Sequence, residues 1–217
     1  MLSRSQVLSV PVTAALIALT SAGCAREVEA PSVEEVVGHV SQTHYETYQL
    51  AVENMGLGLY GGAEYDMGYR NRDSFDGLGS PGNQETRLYL QDMFRDMDLD
   101  VSVQGEYLNV VGELTGTTTP ENIYIVGAHY DHLGGESPDD DDRPGGDDNA
   151  SGTAGVLEAA RVLSQYRFES TIRFIGFNFE EDGLAGSKDY VTSHVIPSGE
   201  NILGMINMDM ILRPGSD

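Results

Sequence analysis

The feature that most constrains the fold is a stretch of 30 residues, 123–152, which reads IYIVGAHYDHLGGESPDDDDRPGGDDNASG. The apolar run at 123–126 is short and lies between turn-forming residues, which predicts a buried strand rather than a helix. His129 and Asp131 follow that strand, and a polar loop then leads to Asp148, just before a segment with helical apolar spacing. One strand therefore ends at an imidazole, and the next helix begins beside a carboxylate.

Strand and helix patterns alternate through the rest of the chain. Helical spacing of apolar residues occurs at 33–54, from 81 to 97, at 152–165 and at 185–194. Strand patterns occur at 101–104, 107–114, 123–126, 171–177 and 202–208. This order predicts an α/β fold with a mixed, mainly parallel sheet and helices on both faces.

Composition limits the classes of partner. The chain has 217 residues, with 12 Lys and Arg against 35 Asp and Glu, which gives a net charge of −23. A polyanion of this kind is repelled by phosphate backbones, so we expect no nucleic-acid partner. The length fits one folded domain, which we place at 33–217 after a tether at 24–32. We expect this domain to be a monomer.

The N-terminus resembles an export signal. Residues 1–23 contain Arg4, an apolar run at 7–19 that is too short to span a bilayer, and small residues before Cys24. This pattern is similar to a bacterial lipoprotein signal, in which the cysteine becomes the acylated N-terminus. We expect an exported protein, either a periplasmic or outer-membrane lipoprotein tethered through Cys24 or a protein secreted after cleavage near Ala22. With one cysteine the chain has no intrachain disulfide.

Residues of the types that commonly bind metals follow each of the three predicted parallel strands. His129 follows the first strand, Glu180 and Glu181 follow the second, and Asp209 follows the third, while Asp148 opens the intervening helix. Ligands of open α/β sheets bind outside the carboxyl ends of the strands, so we expect these side chains to converge. Imidazole and carboxylate together suit zinc, and a carboxylate can bridge two ions.

The two adjacent glutamates need a turn to act together. Side chains alternate faces along a regular strand, so Glu180 and Glu181 can both point inward only if the turn at 182–183 re-aims them. One carboxylate could then hold a metal while the other takes a proton from water, which is a division of labour suited to hydrolysis.

Four motifs together carry a resemblance to a known family. GAHYD, PGGDDNASG, FNFEEDGLAGS and MINMDM occur in this order, and the likeness extends over about 80–210. The chain resembles the M28 family of zinc exopeptidases, whose best-known members are bacterial secreted aminopeptidases. The resemblance implies that His129 and Asp209 hold one zinc, that Asp148 bridges two zincs, that Glu181 holds the other and that Glu180 is the general base.

The resemblance also implies supporting features. Asp131 would accept a hydrogen bond from the far ring nitrogen of His129, and a cis peptide bond would follow Asp148. The second zinc of the family needs a histidine beyond the last of these strands, and neither His132 nor His194 aligns with it. We therefore expect a domain incomplete at its C-terminal end that binds one zinc better than two and has little activity alone.

The resemblance implies an enzyme that removes N-terminal residues from peptide substrates, using a zinc-activated water and a glutamate base. A carboxypeptidase or dipeptidase of the same family remains an alternative, as does a non-catalytic, metal-poor binding domain. Glutaminyl cyclase shares the architecture, but the DNASG context looks more like the peptidases. Sequence leaves the preferred terminal residue open.

Overall fold

The computed structural model describes residues 31–56, 81–132 and 145–212. The expected export signal and Cys24 lie outside these ranges, so both stay predictions. Within the described ranges, every helix is too short or too polar to cross a membrane.

The fold is built on a five-stranded mixed sheet. Its strands are β1 (Asp100–Gln104), β2 (Asn109–Leu114), β3 (Thr119–His129), β4 (Ser170–Phe177) and β5 (Asn201–Asn207). Their order across the sheet is β1-β2-β4-β3-β5. The strands β4, β3 and β5 are parallel, while the β1–β2 and β2–β4 pairs are antiparallel. This confirms the predicted mixed α/β sheet, with the hairpin at one edge.

Helices cover both faces of this sheet. They are α1 (Val33–Gly38), α2 (Gln42–Gly56), α3 (Pro81–Asp96), α4 (Gly152–Leu163), α5 (Ala185–Asp189) and α6 (Ile196–Ser198). A wide helical turn, Tyr190–Val195, joins α5 to α6. One core contains Leu90 and Phe94 of α3 with residues of α2 and α4, and a second core on the opposite face contains Phe177 and Tyr190.

The prediction of a single helix at 33–54 is wrong, because this range contains two helices. The helix is interrupted between α1 and α2, where the backbone N–H of Ser41 donates to the Glu158 carboxylate at 2.6 Å. The Ser41 hydroxyl in turn accepts the His44 N–H at 3.3 Å, which starts α2 anew. Val33 and Val37 are exposed, so the apolar spacing of the first turns does not reflect burial.

The strand β3 is longer than the apolar run at 123–126 predicts. Ala128 and His129 still pair with Gly176 and Phe177 of β4, so the strand continues to the imidazole itself. At its start, Thr119 pairs with Ser170, and a register shift before Ile123 absorbs the intervening residues. His129 is therefore fixed by the sheet rather than by a loop.

Candidate functional site

Three parallel strands deliver the candidate residues to one edge of the sheet. His129 is the last residue of β3, Glu180 and Glu181 follow the end of β4 by three and four residues, and Asp209 follows the end of β5 by two. Backbone bonds continue beyond the strands, since the Tyr130 N–H donates to Phe177 O at 2.8 Å and the Met208 N–H donates to Gly127 O at 2.9 Å. The carboxyl ends of these strands therefore stay aligned.

His129 lies between two carboxylates. Its Nε2 is 3.2 Å from Asp148 Oδ1 and 3.7 Å from Asp209 Oδ1. The imidazole is only 3% exposed, whereas the two aspartates are about half exposed. One nitrogen and two oxygens thus surround a point that is open to solvent on one side.

The two glutamates also reach His129. The chain leaves β4 through Phe179, whose φ of 54° lies in the left-handed region, so the alternation of a regular strand stops there. One ligand atom each from His129, Glu180 and Glu181 lies within 4.8 Å of the others. The re-aiming turn that the sequence requires is therefore present, and it begins one residue before the pair.

Asp131 joins the imidazole to the glutamate pair. Its carboxylate is fully buried and accepts the backbone N–H of Glu180 at 3.1 Å and of Glu181 at 3.3 Å. His129 Nδ1 is 3.1 Å from the main-chain oxygen of Asp131 and 3.5 Å from its carboxylate. Asp131 is in the predicted place, but the shorter contact to the ring comes from its backbone. Its carboxylate mainly holds the turn that carries the glutamates.

The acidic surroundings change the proton affinity of His129. Burial of the ring opposes protonation, but hydrogen bonds to Asp131 and Asp148 outweigh it and raise the pKa of His129 to about 10. Burial also raises the pKa of both Glu180 and Glu181, with Asp131 and Asp148 adding to the effect. The site therefore concentrates negative charge that a cation would neutralise.

The donor set fits a divalent metal such as zinc. Two groups of ligand atoms share His129, one with Asp148 and Asp209 and the other with Glu180 and Glu181. A neutral imidazole with carboxylate oxygens is a ligand set that zinc accepts. Neither group includes His132 or His194 among the described residues. Instead, the Nε2 atom of His194 lies 3.1 Å from the Nε2 atom of Gln104.

A pocket of about 290 Å³ opens beside these side chains. Its wall combines apolar and polar residues: His129, Phe177, Glu180, Leu184, Ser187, Met205, Asn207 and Asp209. A small substrate group could therefore enter next to Glu180 and Asp209.

Sequence reasoning missed the part played by the loop before α4. Residues Gly146–Ser151 form a wide turn in which the peptide bond between Asp148 and Asn149 is cis, as the resemblance implies. Asp148 faces His129, while its neighbours Asp147 and Asn149 bind the backbone after β5. The sequence indicates this arrangement through polar residues at alternate positions of DDNAS, namely Asp147, Asn149 and Ser151.

The family follows from a match over half of the chain. Residues 109–217, which include all the candidate ligands, match the model of peptidase family M28. The chain belongs to peptidase family M28. The relatives of this M28 chain include a protein named probable zinc metalloprotease from Pyrenophora tritici-repentis, 39% identical over 47% of this chain and 24% of the relative. A probable aminopeptidase of Saccharomyces cerevisiae is 34% identical over 47% of this chain and 29% of the relative.

A solved structure shows the same fold. The M28 chain is similar to the LapA aminopeptidase of Legionella pneumophila, with a TM-score of 0.61 and 21% identity over 84% of this chain and 47% of that one. At that identity the likeness concerns the fold alone. The chain spans about a quarter of the length of the curated relatives named above.

Proposed function

We propose that this M28 chain carries the metal centre of an exopeptidase that hydrolyses N-terminal residues from peptides. The observation that supports this most is the convergence of His129, Asp148 and Asp209, with Nε2 to oxygen distances of 3.2 and 3.7 Å. Membership of family M28 and relatives named zinc metalloprotease and aminopeptidase support the reaction class.

His129, Asp148 and Asp209 would hold one zinc, and Asp148 and Glu181 would both contribute to a second. When bound, zinc polarises the scissile carbonyl and lowers the pKa of the attacking water. Both groups of ligand atoms among the described residues use His129. We therefore propose that this chain binds one zinc more tightly than two.

Glu180 would act as the general base. Its carboxylate lines the pocket, and burial raises its pKa above that of an ordinary glutamate, which makes it a better proton acceptor near neutral pH. Glu180 would take the proton of the attacking water and then pass it to the leaving amine. Asp131 would keep this carboxylate in place through its bonds to the two glutamate amides.

The name of one relative, probable aminopeptidase, favours an aminopeptidase over a carboxypeptidase. The free α-amino group of a peptide is a cation, and the net charge of −23 leaves carboxylates besides the metal ligands to attract it. The alternatives are a carboxypeptidase or dipeptidase of the same family and a non-catalytic, metal-poor binding domain.

Zinc content and substrate comparison test this proposal. The chain is loaded with zinc, dialysed and assayed with peptides blocked at the N-terminus, blocked at the C-terminus or free at both ends. We expect about one bound zinc per chain and slow cleavage that needs a free N-terminus. Cleavage that needs a free C-terminus would indicate the carboxypeptidase, and zinc binding without any cleavage would indicate a binding domain.

We further propose that the protein is an exported monomer, either acylated at Cys24 or released after cleavage near Ala22. The signal-like pattern at 1–23 supports this. Mass spectrometry of the mature N-terminus distinguishes the two forms, and an unprocessed Met1 would contradict both. Light scattering of the purified protein tests the monomer, and a dimer mass would contradict it.

A further inference from the structure

Three side chains of the loop before α4 hold the segment that carries Asp209. This segment, residues 208–212, follows β5 and has no regular strand pairing of its own. Each of the three accepts one of its backbone N–H groups: Asn149 Oδ1 from Met210 at 3.3 Å, Ser151 Oγ from Ile211 at 3.1 Å and Asp147 Oδ1 from Leu212 at 3.1 Å.

Asn149 holds the backbone on both sides of Asp209. Its Nδ2 donates to the carbonyl of Met208 at 3.0 Å, and its Oδ1 accepts the N–H of Met210. The same Oδ1 accepts the N–H of Gly152 at 2.9 Å, so the amide is tied to the start of α4. Because Asn149 is fully buried, water cannot easily replace these bonds.

Two glycines on α4 make room for the 208–212 segment. A Cβ at Gly152 would collide with the carbonyl oxygen of Met208 and with the Asn149 side chain. A Cβ at Gly155 would lie 2.7 Å from Met208 Sδ and 3.2 Å from Ile211 Cδ1. The close approach is therefore built into the helix as well as into the loop.

The loop thus serves both ligands at once. Asp148 faces His129, while the residues on either side of it, Asp147 and Asn149, bind the backbone around Asp209. We propose that Asn149, supported by Ser151 and Asp147, is a positioning residue that keeps the Asp209 carboxylate at a fixed distance from Asp148 and His129. The inference rests on the proposed function for its link to the metal, and on the hydrogen bonds alone for the rest.

A double-mutant cycle on zinc affinity tests the link to the metal. We expect Asn149→Ala to weaken zinc binding roughly 10- to 100-fold, the range seen when partners of metal ligands are removed. In an Asp209→Asn background the same substitution should have little further effect, because the ligand that it positions is already gone. Equal effects of Asn149→Ala in both backgrounds would overturn the inference.

Ser151→Ala is a milder variant for the case in which Asn149→Ala does not fold. It removes the acceptor of the Ile211 N–H and leaves Asn149 in place. It should weaken zinc binding in the same direction and again only when Asp209 is present. Asn201→Ala is the matched control, since its hydrogen bond to Asn122 lies at the opposite end of β5. It should leave zinc affinity unchanged.

Amide hydrogen exchange in the metal-free protein tests the hydrogen bonds without any metal. We expect the N–H groups of 210–212 to be protected in the wild type, and the N–H of Met210, which loses its acceptor, to exchange at least about tenfold faster in Asn149→Ala, with no change in Asn201→Ala. Unprotected amides in the wild type would overturn the inference. A wild type that binds no zinc would overturn the proposed function and the link to the metal, even with those amides protected.

Discussion

His129 lies against more negative charge than one imidazole can balance. Asp148 and Asp209 flank its Nε2, and Asp131 lies at its Nδ1. In the metal-free protein burial opposes protonation, but Asp131 and Asp148 outweigh it and raise the pKa of His129 to about 10. A proton then occupies the position in which zinc would bind, so protons and zinc compete for the ring.

This pKa predicts how the stability of the metal-free chain changes with pH. A histidine whose pKa is raised in the folded state stabilises the fold fully below its unfolded pKa of about 6.5 and loses that contribution as pH rises through about 10. Urea unfolding in EDTA should therefore show stability that falls between about pH 6.5 and 10. The fall of stability with pH should be smaller in His129→Gln, and an unchanged fall in that variant would contradict the assignment.

Glu180 is predicted to move a proton, whereas Glu181 is predicted to bind metal. Glu180→Gln keeps the shape of the side chain but cannot accept a proton, so kcat should fall roughly 10²- to 10⁴-fold while zinc content is retained. Glu181→Gln should lower zinc content instead. Activity assays paired with metal analysis separate the two roles, and loss of zinc in Glu180→Gln would contradict the assignment.

At the scale of elements, the exit from β4 sets the direction of the glutamates. Asn109 of β2 accepts the Asn178 N–H at 3.1 Å and donates to the carbonyl of Gly186 in α5 at 2.9 Å. The start of α5 is thereby tied to the strand just before the glutamate pair. Together with the Asp131 bonds, this fixes both ends of the turn.

Gly186 tests how tightly this connection is packed. A Cβ there would collide with the carbonyl oxygen of Asn178 and lie 2.6 Å from Asn109 Oδ1. We expect Gly186→Ala to reduce the free energy of unfolding by about 1–3 kcal/mol, because the neighbouring atoms are backbone or buried. Chemical denaturation measures the change.

Gly38→Ala is the matched control for Gly186. It lies at the end of α1 with no atom within 4 Å of an added Cβ. Its effect should stay within about 0.5 kcal/mol, as for ordinary surface substitutions. Equal losses in the two variants would show that the turn is less constrained than the structure indicates.

At the scale of the whole molecule, Arg173 connects parts that are distant in sequence. Its guanidinium contacts Glu113 on β2 at 2.6 Å, Glu200 before β5 at 2.6 Å and the hydroxyl of Tyr190 at 2.9 Å. Arg173 itself lies on β4 and is buried. It therefore links the antiparallel side of the sheet to β5, which leads to Asp209.

Arg173→Met should destabilise the fold by about 3–5 kcal/mol, because it leaves two partly buried carboxylates without their cation. Arg95→Ala is the control, since its bridge to Asp92 is more than half exposed and should contribute less than about 1 kcal/mol. Thermal or urea unfolding of both variants measures the contrast. A loss of under about 1 kcal/mol in Arg173→Met would contradict this account.

The sequence predicted the elements that meet at the site better than the contacts that hold them. His129, Asp148 and Asp209 could be placed together because parallel strands share a carboxyl edge. The interruption between α1 and α2 could not be predicted in this way, since it depends on Glu158, a residue 117 positions from Ser41. The contacts between the DDNAS loop and 208–212 likewise join residues about 60 positions apart, and no local pattern encodes them.

Anomalous diffraction at the zinc edge from a zinc-soaked crystal tests the central claim most directly. We predict one strong peak at coordinating distance, about 2.0–2.2 Å, from His129 Nε2 and from oxygens of Asp148 and Asp209. A peak elsewhere on the chain, or no peak at a zinc concentration that saturates binding in solution, would contradict the assignment of these three side chains as the metal centre.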